Sequence, residues 1–221
     1  MGNILTSSIG KKLVMSLSGL FLIVFVTIHM LANSAYLLGE EAFDAVIEFM
    51  SSPFIVIMVP VLAAGFIIHI VYALMLTIIN RKARGTQRYE VSNKAQTDSW
   101  ASKNMFVLGI IIGGVLILHL THFWAKMQLP EFTGGHAENG NVLMEQTFSS
   151  IWIVICYLIW FVALWFHLTH GFWSAFQTIG ANNNVWISRL KAVSTIYATV
   201  ICAGFAVIAI YAYLKANGFI G

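Results

Sequence analysis

Five uninterrupted apolar stretches, each longer than 20 residues, constrain what this chain can fold into more than any other feature. An α-helix rises 1.5 Å per residue, so about 20 such residues cross a hydrocarbon core roughly 30 Å thick. The stretches are continuous rather than alternating, which favours helices over the strands of a membrane barrel. We therefore predict an all-α membrane protein, a single domain over residues 1–221. Its five predicted spans, numbered in chain order, cover about Leu13 to Leu38, Phe54 to Asn80, Met105 to Met127, Phe148 to Phe176 and Val193 to Leu214.

The composition excludes an ordinary soluble fold, because 59% of the residues are hydrophobic and 10% are charged, against about 25% charged in soluble domains. The net charge of +3 does not indicate nucleic-acid binding, since the basic residues lie in loops rather than along one face. Cys156 and Cys202 both fall inside apolar stretches. Neither a disulfide framework nor a cysteine zinc site is therefore expected.

Basic residues predict the orientation, because lysine and arginine are retained on the cytoplasmic side of a membrane. The N-terminal segment and the second and fourth loops together carry ten of the twelve, whereas Lys126 and Lys215 lie on the other side. The N-terminus is thus predicted to be cytoplasmic and the C-terminus external, with spans 1, 3 and 5 running outward. We expect a multi-pass protein of the bacterial inner membrane.

Histidines are unusually frequent within the spans. Ionisable residues at membrane depth are costly and mark candidate functional sites. Spans 1 to 4 each contain at least one histidine, and span 5 contains none. Counted along the helices, the histidines fall at two levels, one nearer the outer face and one nearer the cytoplasm. The six that lie in spans are His29, His69, His119, His122, His167 and His170.

Two histidines at one level suit a bis-histidine haem. In an up-and-down bundle of spans 1 to 4, spans 1 and 3 are diagonal, as are spans 2 and 4. Two imidazoles fill both axial positions of an iron, which favours electron transfer over oxygen chemistry. Zinc would need four ligands at one point, and no carboxylate lies within a span to build a di-iron site. A transporter or proton channel that uses the histidines as a relay is the alternative from another class.

The spacing leaves the ligand in spans 3 and 4 open. His119 and His122 are three residues apart, as are His167 and His170, so each couple shares roughly one helix face. Depth favours His122 and His170 by a small margin. Glycines near the histidines would either give a porphyrin room or allow helices to pack closely: Gly19, Gly65, Gly113, Gly114 and Gly171.

Four segments, 16–33, 65–72, 120–130 and 168–171, resemble the five-helix, two-haem cytochrome b subunit of succinate dehydrogenase and fumarate reductase complexes. The resemblance implies two haem b groups, the outer one ligated by His29 and His122 and the inner one by His69 and His170. His119 and His167 would then be neighbours of a haem or of a quinone. A cytochrome b of a hydrogenase or formate dehydrogenase is the nearest rival, but such anchors usually have four helices.

The same resemblance implies that the chain is the quinone-reactive membrane subunit of a succinate:quinone oxidoreductase. It would anchor a flavoprotein subunit, which carries the dicarboxylate chemistry, and an iron–sulfur subunit on the cytoplasmic side. The basic segment 81–88 and the residues Arg189 and Lys191 would face these partners. Electrons would pass to or from a membrane quinone, with menaquinone expected, near the outer haem. Glu48 is the candidate quinone residue, with Glu40, Glu41 and Asp44 as alternatives; the direction of turnover and the oligomeric state stay open.

Overall fold

The computed structural model describes residues 7–84, 99–181 and 183–220. Within these ranges the regular structure is helical and contains no strand. In the same ranges five helices are long and apolar enough to cross a membrane, which confirms the predicted number of long apolar helices. They extend over Ser8–Leu38, Pro53–Ala83, Trp100–Met127, Ile151–Thr178 and Asn184–Ala216.

Three spans begin earlier than their apolar stretches because polar side chains cap the extra helical turns. The Ser7 hydroxyl accepts a hydrogen bond from the backbone of Gly10 at 3.0 Å. Ser99 does the same at the start of span 3, and Asn183 at the start of span 5. Such caps satisfy backbone N–H groups that the first helical turn leaves unpaired. The hydrophobic stretch alone therefore underestimates the length of the helix.

Span 3 contains a wide turn. It is α-helical over Trp100–His119, π-helical over Leu120–Trp124 and α-helical again over Ala125–Met127. A π-helical turn closes on i→i+5 hydrogen bonds instead of i→i+4, so each residue rotates less about the axis. The side chains on either side of this turn therefore point in different directions from those in an unbroken α-helix. Span 2, by contrast, stays helical from Pro53 to Arg84 with Pro60 inside it.

Among the described residues, short helices also lie outside the spans and were not expected from the sequence; two of them are longer than two turns. The first cap helix, Glu40–Met50, links spans 1 and 2, and the second cap helix, Gly140–Phe148, precedes span 4. Between span 3 and the second cap helix lies one further turn, Leu129–Thr133. The cap helices contact each other, and the amide of Asn141 donates to the carboxylate of Asp44 at 2.8 Å.

Lys215 joins three segments at this same end of the molecule. Its Nζ lies 2.8 Å from Glu40 Oε1 and 3.1 Å from Glu145 Oε1, and it sits over the ring of the buried Tyr36. We call this end the capped face. The opposite end, the basic face, carries Lys11, Lys12, Lys103, Arg189 and Lys191. Arg88 and Lys94, which the charge count also used, lie outside the described residues.

Span 5 buttresses spans 1 and 4. Spans 4 and 5 form the most extensive helix pair, while span 1 also packs against spans 2, 4 and 5, and span 3 against span 4. The Tyr197 hydroxyl lies 2.8 Å from Thr27 Oγ1 and donates to the carbonyl of Ile23 at 3.0 Å. Ser194 donates to the carbonyl of Thr169 in span 4 at 2.9 Å. These bonds hold span 5 against spans 1 and 4. Spans 1 and 4 both carry histidines, and the two spans contribute to different levels.

Two candidate cofactor sites between the spans

The first histidine pair lies toward the capped face. The ring centres of His29 in span 1 and His119 in span 3 are 5.8 Å apart, and the ring planes are nearly perpendicular at 84°. Phe25 stacks on His29, and Phe205 of span 5 packs against it. Trp160 of span 4 lies 5.6 Å from His119. Aromatic groups from three spans therefore surround this pair, which we call the capped-face pair.

The second pair, the basic-face pair, joins His69 of span 2 to His167 of span 4. Their ring centres are 6.2 Å apart, with an interplanar angle of 67°. Ser18 of span 1 holds His69, because its Oγ lies 3.3 Å from Nδ1 while it donates to the Met15 carbonyl at 3.0 Å. The hydroxyl has one proton, so both contacts are satisfied when Nδ1 of His69 carries its own proton and donates. The lone pair is then on Nε2, available to a metal.

The two pairs lie at different levels. On span 1, His29 is eleven residues beyond Ser18, the contact of the basic-face pair, which corresponds to roughly 16 Å along the helix. On span 4, His167 is seven residues beyond Trp160, the contact of the capped-face pair, which corresponds to roughly 10 Å. Each pair therefore forms a site of its own within the apolar layer.

The ring separations fit a six-coordinate metal between two imidazoles. A nitrogen–metal bond of about 2 Å, as for zinc and imidazole, and roughly 1 Å from nitrogen to ring centre place two axial rings about 6 Å apart. The ring-centre distances of the two pairs, 5.8 and 6.2 Å, are close to this value. Within the described ranges, no three or more His, Cys, Asp or Glu side chains come together as a metal-binding group. Each of the two pairs instead brings together two imidazoles from two different spans.

Three buried histidine ring nitrogens lack a hydrogen-bond partner among the described residues. Nδ1 of His119, His167 and His170 is buried, and no hydrogen-bond partner is recorded for it in the described chain. Buried polar atoms nearly always have a partner in a complete structure. A water molecule or a bound group that contacts Nδ1 itself would account for these atoms, whereas a metal bound at Nε2 would leave them unpaired.

His122 and His170, the ligands that the resemblance implies, make other ring contacts in this structure, and their role as ligands stays a prediction. His122 stacks on Tyr157 at an interplanar angle of 15°, with its Nδ1 3.2 Å from the tyrosine hydroxyl. His170 packs edge-on against Trp173, with ring centres 5.1 Å apart. The rings that face His29 and His69 are those of His119 and His167 instead.

The wide turn explains the difference in span 3. His119 is the last residue of the regular α-helix, and His122 lies within the π-helical turn. The two rings consequently diverge more than a spacing of three residues in an α-helix would allow. In span 4 the helix is regular, and an offset of about 60° separates positions three apart. His167 is on the side that faces span 2.

The glycines near the histidines divide into two groups. A Cβ on Gly19 would lie 3.4 Å from Cε1 of His69, and a Cβ on Gly65 would overlap the ring of Phe21, so both permit close packing of spans 1 and 2. The remaining three have nothing within 4 Å of a Cβ position. They are Gly113, Gly114 and Gly171. Close packing thus accounts for two of the five, and open space adjoins the other three.

The acidic quinone candidates lie on the first cap helix. Glu48 and Glu41 are exposed there, while Asp44 and Glu40 already bond to Asn141 and Lys215. The hydrogen bond from Lys215, together with its charge, lowers the pKa of the Glu40 carboxyl. None of these contacts brings a carboxylate to a histidine pair.

A polar opening near His122 was not foreseen from the sequence. It has a volume of about 230 Å³ and lies between the end of span 3 and the start of span 4. Its lining side chains come from two short segments, 122–126 and 146–153, and only the fold brings the two segments together. They are His122, Lys126, Gln146, Thr147, Ser150 and Ile153.

Comparison of the chain with protein-family models, with curated proteins and with solved structures finds no match. What distinguishes the molecule is its own arrangement of side chains. Two opposed imidazole pairs lie at two levels within a bundle of apolar helices that are long enough to cross a membrane.

Proposed function

We propose that this chain is a dihaem cytochrome b subunit that anchors a succinate dehydrogenase or fumarate reductase complex in the bacterial inner membrane. It passes electrons between an iron–sulfur subunit and a membrane quinone, with menaquinone expected. The observation that carries the proposal is the pair of histidine couples, each with ring centres about 6 Å apart. The choice among haem-containing complexes comes from the resemblance of the span sequences.

His29 and His119 would hold one haem iron, and His69 and His167 the other. Their ring distances favour this set over the set with His122 and His170. Haem held by these residues would supply reversible one-electron chemistry. The chain's own residues position the imidazoles: Ser18 fixes the tautomer of His69, since the group bonded to the second ring nitrogen sets which nitrogen can bind metal.

The basic face would be cytoplasmic, because ten of the twelve lysines and arginines belong to the segments that meet there. It is the side on which the flavoprotein and iron–sulfur subunits would dock, and the capped face would lie outside. Cysteine labelling tests this orientation. A cysteine at Ser99 should react only with a reagent that crosses the membrane, and a cysteine at Gly135 should also react with an impermeant one. The opposite result would reverse the orientation.

Haem stoichiometry tests the function. The purified protein should show about two b-type haems per chain in a pyridine haemochrome assay. His119→Gln and His167→Gln should each reduce this to about one, and the matched variants His122→Gln and His170→Gln should keep about two. The reverse pattern would restore the ligands inferred from the resemblance. A fully assembled protein without haem would refute the proposal and favour a histidine relay in a transporter.

A further inference from the structure

The tetrapeptide His-Leu-Thr-His occurs in both spans that complete a pair, at residues 119–122 in span 3 and 167–170 in span 4. In each copy the first histidine faces its partner across the bundle. The two spans run in opposite directions, so the second histidine lies toward the capped face in span 3 and toward the basic face in span 4. In both cases it is displaced from the pair toward the nearer end of the bundle.

The surroundings of His122 are those of an oxyanion site. The polar opening beside it is lined by one lysine, two hydroxyls and an amide, and its lining contains no carboxylate. Nδ1 of His122 is engaged with Tyr157, which leaves Nε2 as its second hydrogen-bonding atom. Lys126 also pairs with Glu138 at 3.6 Å, but both side chains are more than 40% exposed. An exposed ion pair of this kind contributes little to stability, so Lys126 can leave Glu138 to pair with another anion.

His170 has matching surroundings in the other site. Its Nδ1 is buried with no partner recorded in the described chain. The Trp173 ring that packs against it carries the Nζ of Lys191 at 4.9 Å on its face. A positive charge and a hydrogen-bonding imidazole thus occur together here as well.

A porphyrin would use these groups. Its ligands bind at the centre of the ring, whereas its two propionate carboxylates leave one edge, so propionate partners must lie further along the bundle than the ligands. Lys126 is seven residues beyond His119, which amounts to roughly 10 Å along the helix, with His122 between them. A carboxylate within an apolar layer needs hydrogen-bond donors or a cation close by.

We propose that the second histidine of each tetrapeptide, His122 in one site and His170 in the other, hydrogen-bonds a propionate of the haem that the first histidine would ligate. The inference rests on the proposed function. It gives a role to both histidines of each tetrapeptide.

Reconstitution with a modified haem tests this directly. The full-length chain, purified without haem in detergent, is titrated with haem and with haem dimethyl ester, which lacks the carboxylate charges. A His69→Gln background isolates the capped-face site and a His29→Gln background the basic-face site. We expect the ester to bind each site about tenfold more weakly, the effect of one lost charge-assisted hydrogen bond. Equal affinities for haem and ester would overturn the inference.

Substitution at the second histidine supplies the paired measurement. His122→Phe and His170→Phe should each reduce the ratio of haem affinity to ester affinity at their own site to near one. Each should also lower the midpoint potential of the haem at that site, because an unpaired carboxylate favours ferric iron. Thr121→Val and Thr169→Val, the adjacent changes in each tetrapeptide, should leave both quantities unchanged. An unchanged preference in the Phe variants would refute the role of the histidines. Failure of the wild-type chain to bind haem at all would instead refute the proposed function.

Discussion

Replacement of Ser18 by alanine should weaken haem binding at the basic-face pair alone. Ser18 is 9% exposed, and its Oγ lies 3.3 Å from Nδ1 of His69. Water therefore has little access to replace the hydroxyl as the acceptor for that ring. An unpaired buried donor costs about 1–3 kcal/mol, and loss of the group that orients a metal-bound histidine typically reduces metal affinity about 10–100-fold. Both estimates agree, since each factor of ten corresponds to about 1.4 kcal/mol.

The assay is an absorbance titration of haem into the apoprotein in detergent, read separately for each site in the two single-site backgrounds. Ser16→Ala is the matched control, because Ser16 is equally buried at 7% exposure but lies two residues away, about 200° around the helix. We expect Ser18→Ala to weaken the His69–His167 site at least tenfold and to spare the His29–His119 site. Equal effects of the two serine substitutions, or none from Ser18→Ala, would refute the argument from the tautomer.

Three further predictions concern helix packing and the capped face. Gly65→Ala should lower the free energy of unfolding by about 1–3 kcal/mol, because its Cβ would overlap Phe21; denaturation in mixed detergent micelles measures it. Tyr197→Phe should cost about 0.5–1.5 kcal/mol in the same assay, since it removes the hydroxyl that joins spans 5 and 1. Lys215→Met should lower the melting temperature at neutral pH. Because Lys215 lowers the pKa of Glu40 below its ordinary value of 4.5, this contribution is present above about pH 4.5 and is lost as the pH falls through the lowered pKa.

Matched variants separate these effects from general disruption. Gly109→Ala adds the same methyl group where nothing lies within 4 Å, and it should leave unfolding unchanged. Tyr213→Phe removes a hydroxyl from the same span as Tyr197, on a ring that packs against Phe219, and should have the smaller effect. The packing argument fails if Gly109→Ala is as costly as Gly65→Ala. A melting-temperature difference for Lys215→Met that persists unchanged at pH 3 would contradict the ion-pair account.

The apolar stretches predicted the five long helices because lipid leaves a chain few alternatives. Continuous runs above 20 residues have to pair their backbone groups internally, which only a helix does within one segment. Helix ends were predicted less well. The caps formed by Ser7, Ser99 and Asn183 continue the helices into polar sequence, where hydropathy carries no signal.

Which histidine rings lie close together could be predicted only in part. Counting residues along the helices indicates two levels, since the rise per residue is constant. Counting does not distinguish His119 from His122. The wide turn over Leu120–Trp124 changes the direction in which side chains point, and the spacing of the residues in the sequence gives no sign of this turn. The cap helices were missed for a related reason. Glu40–Met50 and Gly140–Phe148 are short and stabilised by contacts with distant parts of the chain, such as the bond between Asn141 and Asp44.

The support that span 5 gives to the bundle is one-sided, and this asymmetry predicts where the bundle opens most easily. Span 5 packs against spans 1 and 4, whereas in the described parts of the chain spans 2 and 3 are not among the closely packed pairs. Arg81 over the ring of Phe106 is a contact between them. Separation of spans 2 and 3 therefore breaks fewer contacts than separation of spans 1, 4 and 5, and we expect a lipid-soluble ligand to reach the interior of the bundle from that side.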